Sequence, residues 1–194
     1  MRRFQEVFAV TGETRILDVG GYLANWKLIP TRPRLTILNL VDVPRDEAGR
    51  GDARWIIGDG CYLPFPDQSF DIAYSNSVIE HLGTIENQRR FAAEIARIGV
   101  RYFIETPNRW FPVEPHYLTP FVHFLPARWR QRIIGRFTIW GAMTHPTEEK
   151  CARMVGEIRL LDQRSMRRLF PDARIQHERV LGFAKAIIAE KSGV

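Results

Sequence analysis

Arg15-Ile16-Leu17-Asp18-Val19-Gly20-Gly21 is an apolar run that meets one acid and then two glycines. Such a run reads as a buried strand. Glycine directly after it lets bare backbone approach a ligand, because glycine reaches positive φ and carries no Cβ. Further along, Gly58-Asp59-Gly60-Cys61-Tyr62-Leu63-Pro64-Phe65-Pro66-Asp67-Gln68-Ser69-Phe70-Asp71 is a turn-rich stretch that opens onto another strand. These two stretches decide the fold, and the remaining elements are read outward from them.

Residues 14–19 form the first strand and 35–40, between Pro33 and Pro44, the second; a short helix over 24–29 fits between them. Residues 54–57 and 70–75 supply two more strands, and residues 4–10 read as a short helix covering the sheet. From Ile85 to Ile98, Phe91, Ile95 and Ile98 recur at helical spacing among charged residues. Strand returns over 101–105 and stops at Thr106-Pro107-Asn108. A helix after Asp162 runs through Met166 and Leu169 and ends before Pro171. Residues 174–181 and 183–189, separated by Gly182, read as a closing antiparallel hairpin. The pattern is an α/β chain with a doubly wound, mostly parallel sheet and one antiparallel edge. It is expected to form a single domain over 1–194, with 109–157 inserted in it.

Composition narrows the function classes. At 194 residues the chain is long enough for a full core, and its 45% hydrophobic and 26% charged content is that of an ordinary globular domain. Cys61 and Cys151 are too few and too far apart for a disulfide framework or a zinc knuckle. The basic start carries no apolar stretch, and no segment approaches the roughly 18 apolar residues of a membrane span, so a cytoplasmic protein is expected. The formal charge of +6 permits contact with nucleic acid or acidic lipid without requiring it. A dinucleotide is argued against twice. The glycine fingerprint fails at Tyr22 and Asn25, and Asp18 would repel a pyrophosphate. A carboxylate at that place instead suits a cationic ligand.

The element order and terminal hairpin resemble those of the class I S-adenosylmethionine-dependent methyltransferases, whose seven-stranded sheet ends in such a hairpin. Leu63-Pro64-Phe65-Pro66-Asp67-Gln68-Ser69-Phe70-Asp71, followed by Ser75-Asn76-Ser77-Val78-Ile79-Glu80-His81-Leu82, is similar to the small-molecule, type 11-like branch of that family. The resemblance implies S-adenosylmethionine as cofactor, whose ammonium and sulfonium a carboxylate such as Asp18 stabilises. It implies backbone contact at Gly20 and Gly21, ribose contact at Asn39, and an adenine contact at Asp59 with backbone donors from Gly60 and Cys61. Asn76 is expected to meet the methionine portion or the acceptor. Two departures stand out: Tyr22 and Ala24 replace further glycines, and Asn39 replaces an acid whose role Asp42 could take. Plain turn chemistry is the alternative for Asp59, and strand termination the alternative for Asn39.

His81, beside Glu80, has two readings: a general base, or a residue at the start of the next helix bonding backbone or solvent. His116 is an alternative base. Asn108, Trp110, Glu114 and Tyr117, in the aromatic loop after the fifth strand, are candidates for acceptor contact, although packing accounts for the Trp110 ring equally well. No His/Asp/Glu cluster shows ligand spacing, so no metal is expected. Residues 116–147 contain no Asp or Glu but carry Arg128, Arg130, Arg132 and Arg136 among Phe121, Trp129, Phe137 and Trp140. A lid, an anionic-membrane contact and a dock for a phosphorylated partner compete for this segment, with the lid preferred. The expected acceptor is a small molecule, amphipathic or sugar-like. Missing Asn-Pro-Pro-Tyr argues against nucleic acid; RNA methylation and a non-catalytic binding module are the competing readings.

Overall fold

The computed structural model describes residues 1–27, 29–41 and 53–193. Along the chain run α1 (Arg2–Val7), β1 (Arg15–Val19), α2 (Leu23–Trp26), β2 (Arg34–Asn39), β3 (Arg54–Ile57) and β4 (Phe70–Asn76). A 3₁₀ turn over Ile79–His81 then leads to α3 (Ile85–Ile98) and β5 (Gly99–Pro107). The insert holds a small hairpin, β6 (Val113–Glu114) and β7 (Thr119–Pro120), and the helices α4 (Ala127–Ile134), α5 (Ile139–Thr144) and α6 (Glu148–Glu157). The fold closes with α7 (Gln163–Leu169), β8 (Arg174–Val180) and β9 (Phe183–Lys191).

The seven-stranded sheet has the order β3-β2-β1-β4-β5-β9-β8. The first five strands in that order are parallel, and β9 and β8 are antiparallel additions at one side. This is the doubly wound sheet with a closing hairpin expected from the sequence. Strand order reverses between β1 and β4, which is where ligands bind in open α/β sheets. Alternation along β1 sends Leu17 and Val19 to one face, where they pack with Phe91, Ile95 and Met166, and sends Ile16 to the other with Phe4 and Trp26. Each such large apolar side chain stabilises the fold by about 1.5–3 kcal/mol. Asp18 shares the Ile16 face, so an acid is directed into an apolar layer.

The insert has a separate small core of Tyr117, Val122, Ile134, Cys151, Val155 and Ile158. Its helices give little periodic signal in the sequence because they are short and carry exposed apolar residues, among them Trp129, Ile139 and Met143. A second difference concerns Glu80 and His81. They do not open the helix that follows. They lie in the 3₁₀ turn, and α3 starts later, where the Thr84 hydroxyl accepts from the Asn87 N–H.

Candidate functional site

The carboxyl ends of β1, β2, β3 and β4 converge because the parallel register runs one residue past the strands: Gly20 N–H donates to the Leu38 carbonyl at 2.7 Å and Gly58 N–H to the Asn39 carbonyl at 2.8 Å. Gly20 makes the turn at φ +77°, and a Cβ there would lie 2.4 Å from a Val78 methyl. At Gly21 a Cβ would sit 1.7 Å from Asp18 Oδ2. Gly20 and Gly21 thus form the turn, with Tyr22 exposed and extended beyond it, just before α2.

Asp18 is wholly buried. Its Oδ2 accepts from Trp26 Nε1 at 2.6 Å, while Oδ1 is buried with no hydrogen-bond partner. Burial pushes its pKa up to about 7, opposed by the bond from Trp26. An unpartnered carboxylate oxygen of this kind is chemically suited to a cationic donor such as the ammonium of the implied cofactor. Trp26 is a residue sequence reasoning missed, since a lone indole in a short helix gives no periodic signal.

Asn39 donates through Nδ2 to the Gly21 carbonyl at 3.0 Å, so its amide braces the glycine turn. Asp42 lies outside the described residues. Asp59 Oδ1 accepts from the Cys61 N–H at 2.8 Å, which occupies the donor expected to meet an adenine ring. Gly60 is buried against Val19 and Phe91, and the Cys61 thiol, raised to about 11 by burial, donates to the Asn87 carbonyl at 3.4 Å. Arg97, on α3, donates to the carbonyls of Leu63 and Phe65 at 3.1 and 2.7 Å and to Asp67 at 2.9 Å. Glu94 accepts from the Leu63 N–H at 2.6 Å. The distinctive Leu63–Asp67 stretch is therefore held by two helical residues not singled out beforehand. At the end of β4, the Ser75 hydroxyl donates to the Val19 carbonyl, bridging the switch point, and Asn76 Oδ1 accepts from Ser77.

A second polar centre sits beside the glycine turn. Glu80 is wholly buried; Oε2 accepts from Thr106 Oγ1 at 2.9 Å, and Oε1 has no hydrogen-bond partner. His81 Nε2 lies 4.0 Å from Glu80 Oε1 and 3.1 Å from His116 Nε2. His116 Nδ1 is 2.6 Å from Glu114 Oε1, whose other oxygen accepts from the Tyr117 N–H at 2.7 Å. Burial raises Glu80 to about 7. Burial also lowers His81, with His116 adding to the effect; at His116 burial works downward but the hydrogen bond and charge of Glu114 carry the net shift upward. The linear sequence hid this cluster. Its members come from a 3₁₀ turn and a hairpin joined through β5, so no spacing along the chain announces their meeting.

The expected acceptor contacts separate into exposed and engaged residues. Trp110 is 62% exposed and stacks near Phe124, with ring centroids 5.9 Å apart. Asn108 is engaged: Nδ2 donates to the Ala184 carbonyl and Oδ1 accepts from the Trp110 N–H. Glu114 is buried as the partner of His116, and Tyr117 is wholly buried in the insert core, because the β6–β7 hairpin turns both inward. Arg164, Arg167, Arg168, His177 and Arg179 line a cavity of about 630 Å³ beside Asn108 and Trp110. Among the described residues no helix is long and apolar enough to cross a membrane.

Residues 36–100 match the family model described as a methyltransferase domain. A Mycobacterium tuberculosis protein named Rv1509 is 36% identical over 72 residues, which cover 36% of this chain and only a quarter of that relative. Among solved structures, a SAM-dependent methyltransferase from Methanosarcina mazei has TM-score 0.61 at 14% identity, covering 98% of this chain and 97% of that one. A Rhodobacter sphaeroides structure described as a candidate Zn-dependent alcohol dehydrogenase has TM-score 0.63 at 12% identity, covering 95% and 85%. At such identities each likeness speaks of fold alone.

Proposed function

On the premise of a class I methyltransferase fold that carries the methyltransferase-domain signature over residues 36–100, we propose that this chain uses S-adenosylmethionine to methylate a small molecule. The observation that carries the reading is Asp18 Oδ1, buried and unpartnered beside a two-glycine turn at the point where strand order reverses. The bound cofactor supplies a methyl group already activated on its sulfonium. Asp18 holds the ammonium, Gly20 and Gly21 let the backbone approach, and Asn39 fixes their orientation through the Gly21 carbonyl. Asp59, exposed past β3, and Asn76, at the end of β4, flank the remaining length of the crevice. Exposed Trp110 beyond β5 supports an acceptor with an apolar face, and the insert acts as its lid.

Calorimetric titration with S-adenosylmethionine and S-adenosylhomocysteine tests this directly. One site per chain is expected, weakened severely by Asp18→Ala; no heat from the unaltered protein with either compound would reject the reading. One observation favours RNA as a second acceptor class, the arginine-lined cavity beside Asn108 and Trp110. Salt-sensitive RNA binding, weakened by replacing Arg164, Arg167 and Arg168, would support that reading, and no binding at low salt would remove it.

A further inference from the structure

We infer that Glu80, His81 and His116 form a site for one divalent transition-metal ion of the zinc class, with Glu114 orienting His116. One oxygen and two ring nitrogens, Glu80 Oε1, His81 Nε2 and His116 Nε2, lie within 4.8 Å of one another. A tetrahedral ion with metal–nitrogen distances of about 2.0–2.1 Å needs its nitrogen ligands about 3.3 Å apart. The two ring nitrogens are 3.1 Å apart. Glu80 Oε1, 4.0 Å from His81 Nε2, has to close by less than about 1 Å to reach the same spacing.

The protonation pattern points the same way. In the neutral tautomer whose Nδ1–H bonds Glu114, 2.6 Å away, His116 keeps its Nε2 lone pair toward His81. Glu80 Oε1, on a wholly buried side chain, is an acceptor without a donor directed at the same small volume. A proton on His81 Nε2 could serve one of these acceptors and not both. A cation serves all three, and its two positive charges balance the carboxylates of Glu80 and Glu114.

The frame is rigid in a way a ligand set requires. Thr106 fixes the other oxygen of Glu80, Tyr117 N–H fixes the other oxygen of Glu114, and Gln88 Nε2 donates to the carbonyl of Ile79, in the turn, and to that of Arg159, tying the two segments together. Carboxylate-to-histidine support of this type is the usual outer shell of a metal-bound imidazole. The His81 side chain is 44% exposed, so three protein ligands leave a coordination position facing solvent. Two imidazoles and a carboxylate select a transition metal over Mg²⁺, which prefers oxygen ligands.

The test uses the full chain without an affinity tag, stripped with chelator and equilibrated with Zn²⁺ or Co²⁺. We expect one ion per chain by elemental analysis and, with Co²⁺, a visible absorption spectrum of an imidazole-ligated tetrahedral ion. His81→Ala, His116→Ala and Glu80→Gln should each weaken uptake more than tenfold, and Glu114→Gln by about 10–100-fold. Replacing His123, outside the cluster, should change nothing. Retention of the same ion by the His81→Ala/His116→Ala double variant, or absence of the Co²⁺ spectrum from the unaltered protein, would overturn the assignment. The spectrum requires no variant, so misfolding of a substituted chain does not blur the outcome. Metal uptake and S-adenosylmethionine binding are separate readouts, and either can fail alone.

Discussion

Asp18 and Glu80 are both wholly buried, each with one oxygen held and the other without a partner, and burial raises both to about 7. Their surroundings differ. Asp18 is held by an indole and faces glycine backbone, whereas Glu80 is held by a threonine and faces two imidazoles. A carboxylate beside glycine backbone offers a free acceptor oxygen to an organic cation that brings its own hydrogens. One ringed by lone pairs needs an ion that brings none. The same electrostatic deficit therefore calls for different ligands, and the neighbours decide which.

The comparison breaks most sharply at Gly21. Alanine there places a methyl group onto a carboxylate that Trp26 prevents from swinging aside, so a loss of about 3 kcal/mol in urea unfolding is expected. Calorimetry should show S-adenosylmethionine binding lost with it, and the double variant Gly21→Ala/Asp18→Ala should recover part of the stability. Next in size, Asp18→Asn keeps the bond to Trp26 but removes the charge; cofactor affinity should fall about 10–100-fold, in line with a charge-assisted bond of ~1.5–3 kcal/mol. Unchanged affinity would mean that the cation is held elsewhere.

Acidity gives a third, smaller effect. Asp18 titrates near 7 when folded and near ~3.9 when unfolded, so between those values the folded chain holds more protons and stability falls as pH rises. This contribution is fully present below about pH 4 and gone above about pH 7. Glu80 and Glu105, also raised to about 7, act in the same direction. The urea midpoint should therefore drop between pH 5 and pH 7.5, and Asp18→Asn or saturating S-adenosylmethionine should flatten that slope. A slope that is identical in Asp18→Asn would rule out Asp18 as its source. Smallest is Thr84→Ala, which removes the cap of α3 and should cost about 1 kcal/mol with cofactor affinity intact. A change in affinity there would show the crevice to be sensitive to any loosening of α3.

The strands were legible because continuous apolar runs bounded by Gly and Pro admit few other readings, and α3 because Phe91, Ile95 and Ile98 all point into one core. Gly20 and Gly21 were legible too, as the place where bare backbone follows β1. Side-chain partnerships were not. Trp26 reaches Asp18 only because α2 is a single turn, and Arg97 reaches Leu63 and Phe65 only because α3 runs alongside their loop. Glu114 lies in a polar loop by sequence, and a hairpin of two-residue strands turns it inward onto His116. No periodicity along the chain encodes such meetings, since they depend on where separate elements finish in space.

Arg3 forms a two-point ion pair with Glu190, at 2.6 and 3.1 Å, and Phe4, next to it, packs its ring against Trp26, Tyr74 and Phe103. The ion pair joins residues 187 positions apart, and such a non-local contact carries a large loop-closure cost. The wall that steadies the Trp26 indole is built from Phe4 of α1, Tyr74 of β4 and Phe103 of β5. Through Arg3 and Phe4, then, the first turn of the chain ties the last strand to the ring wall behind the indole that holds Asp18.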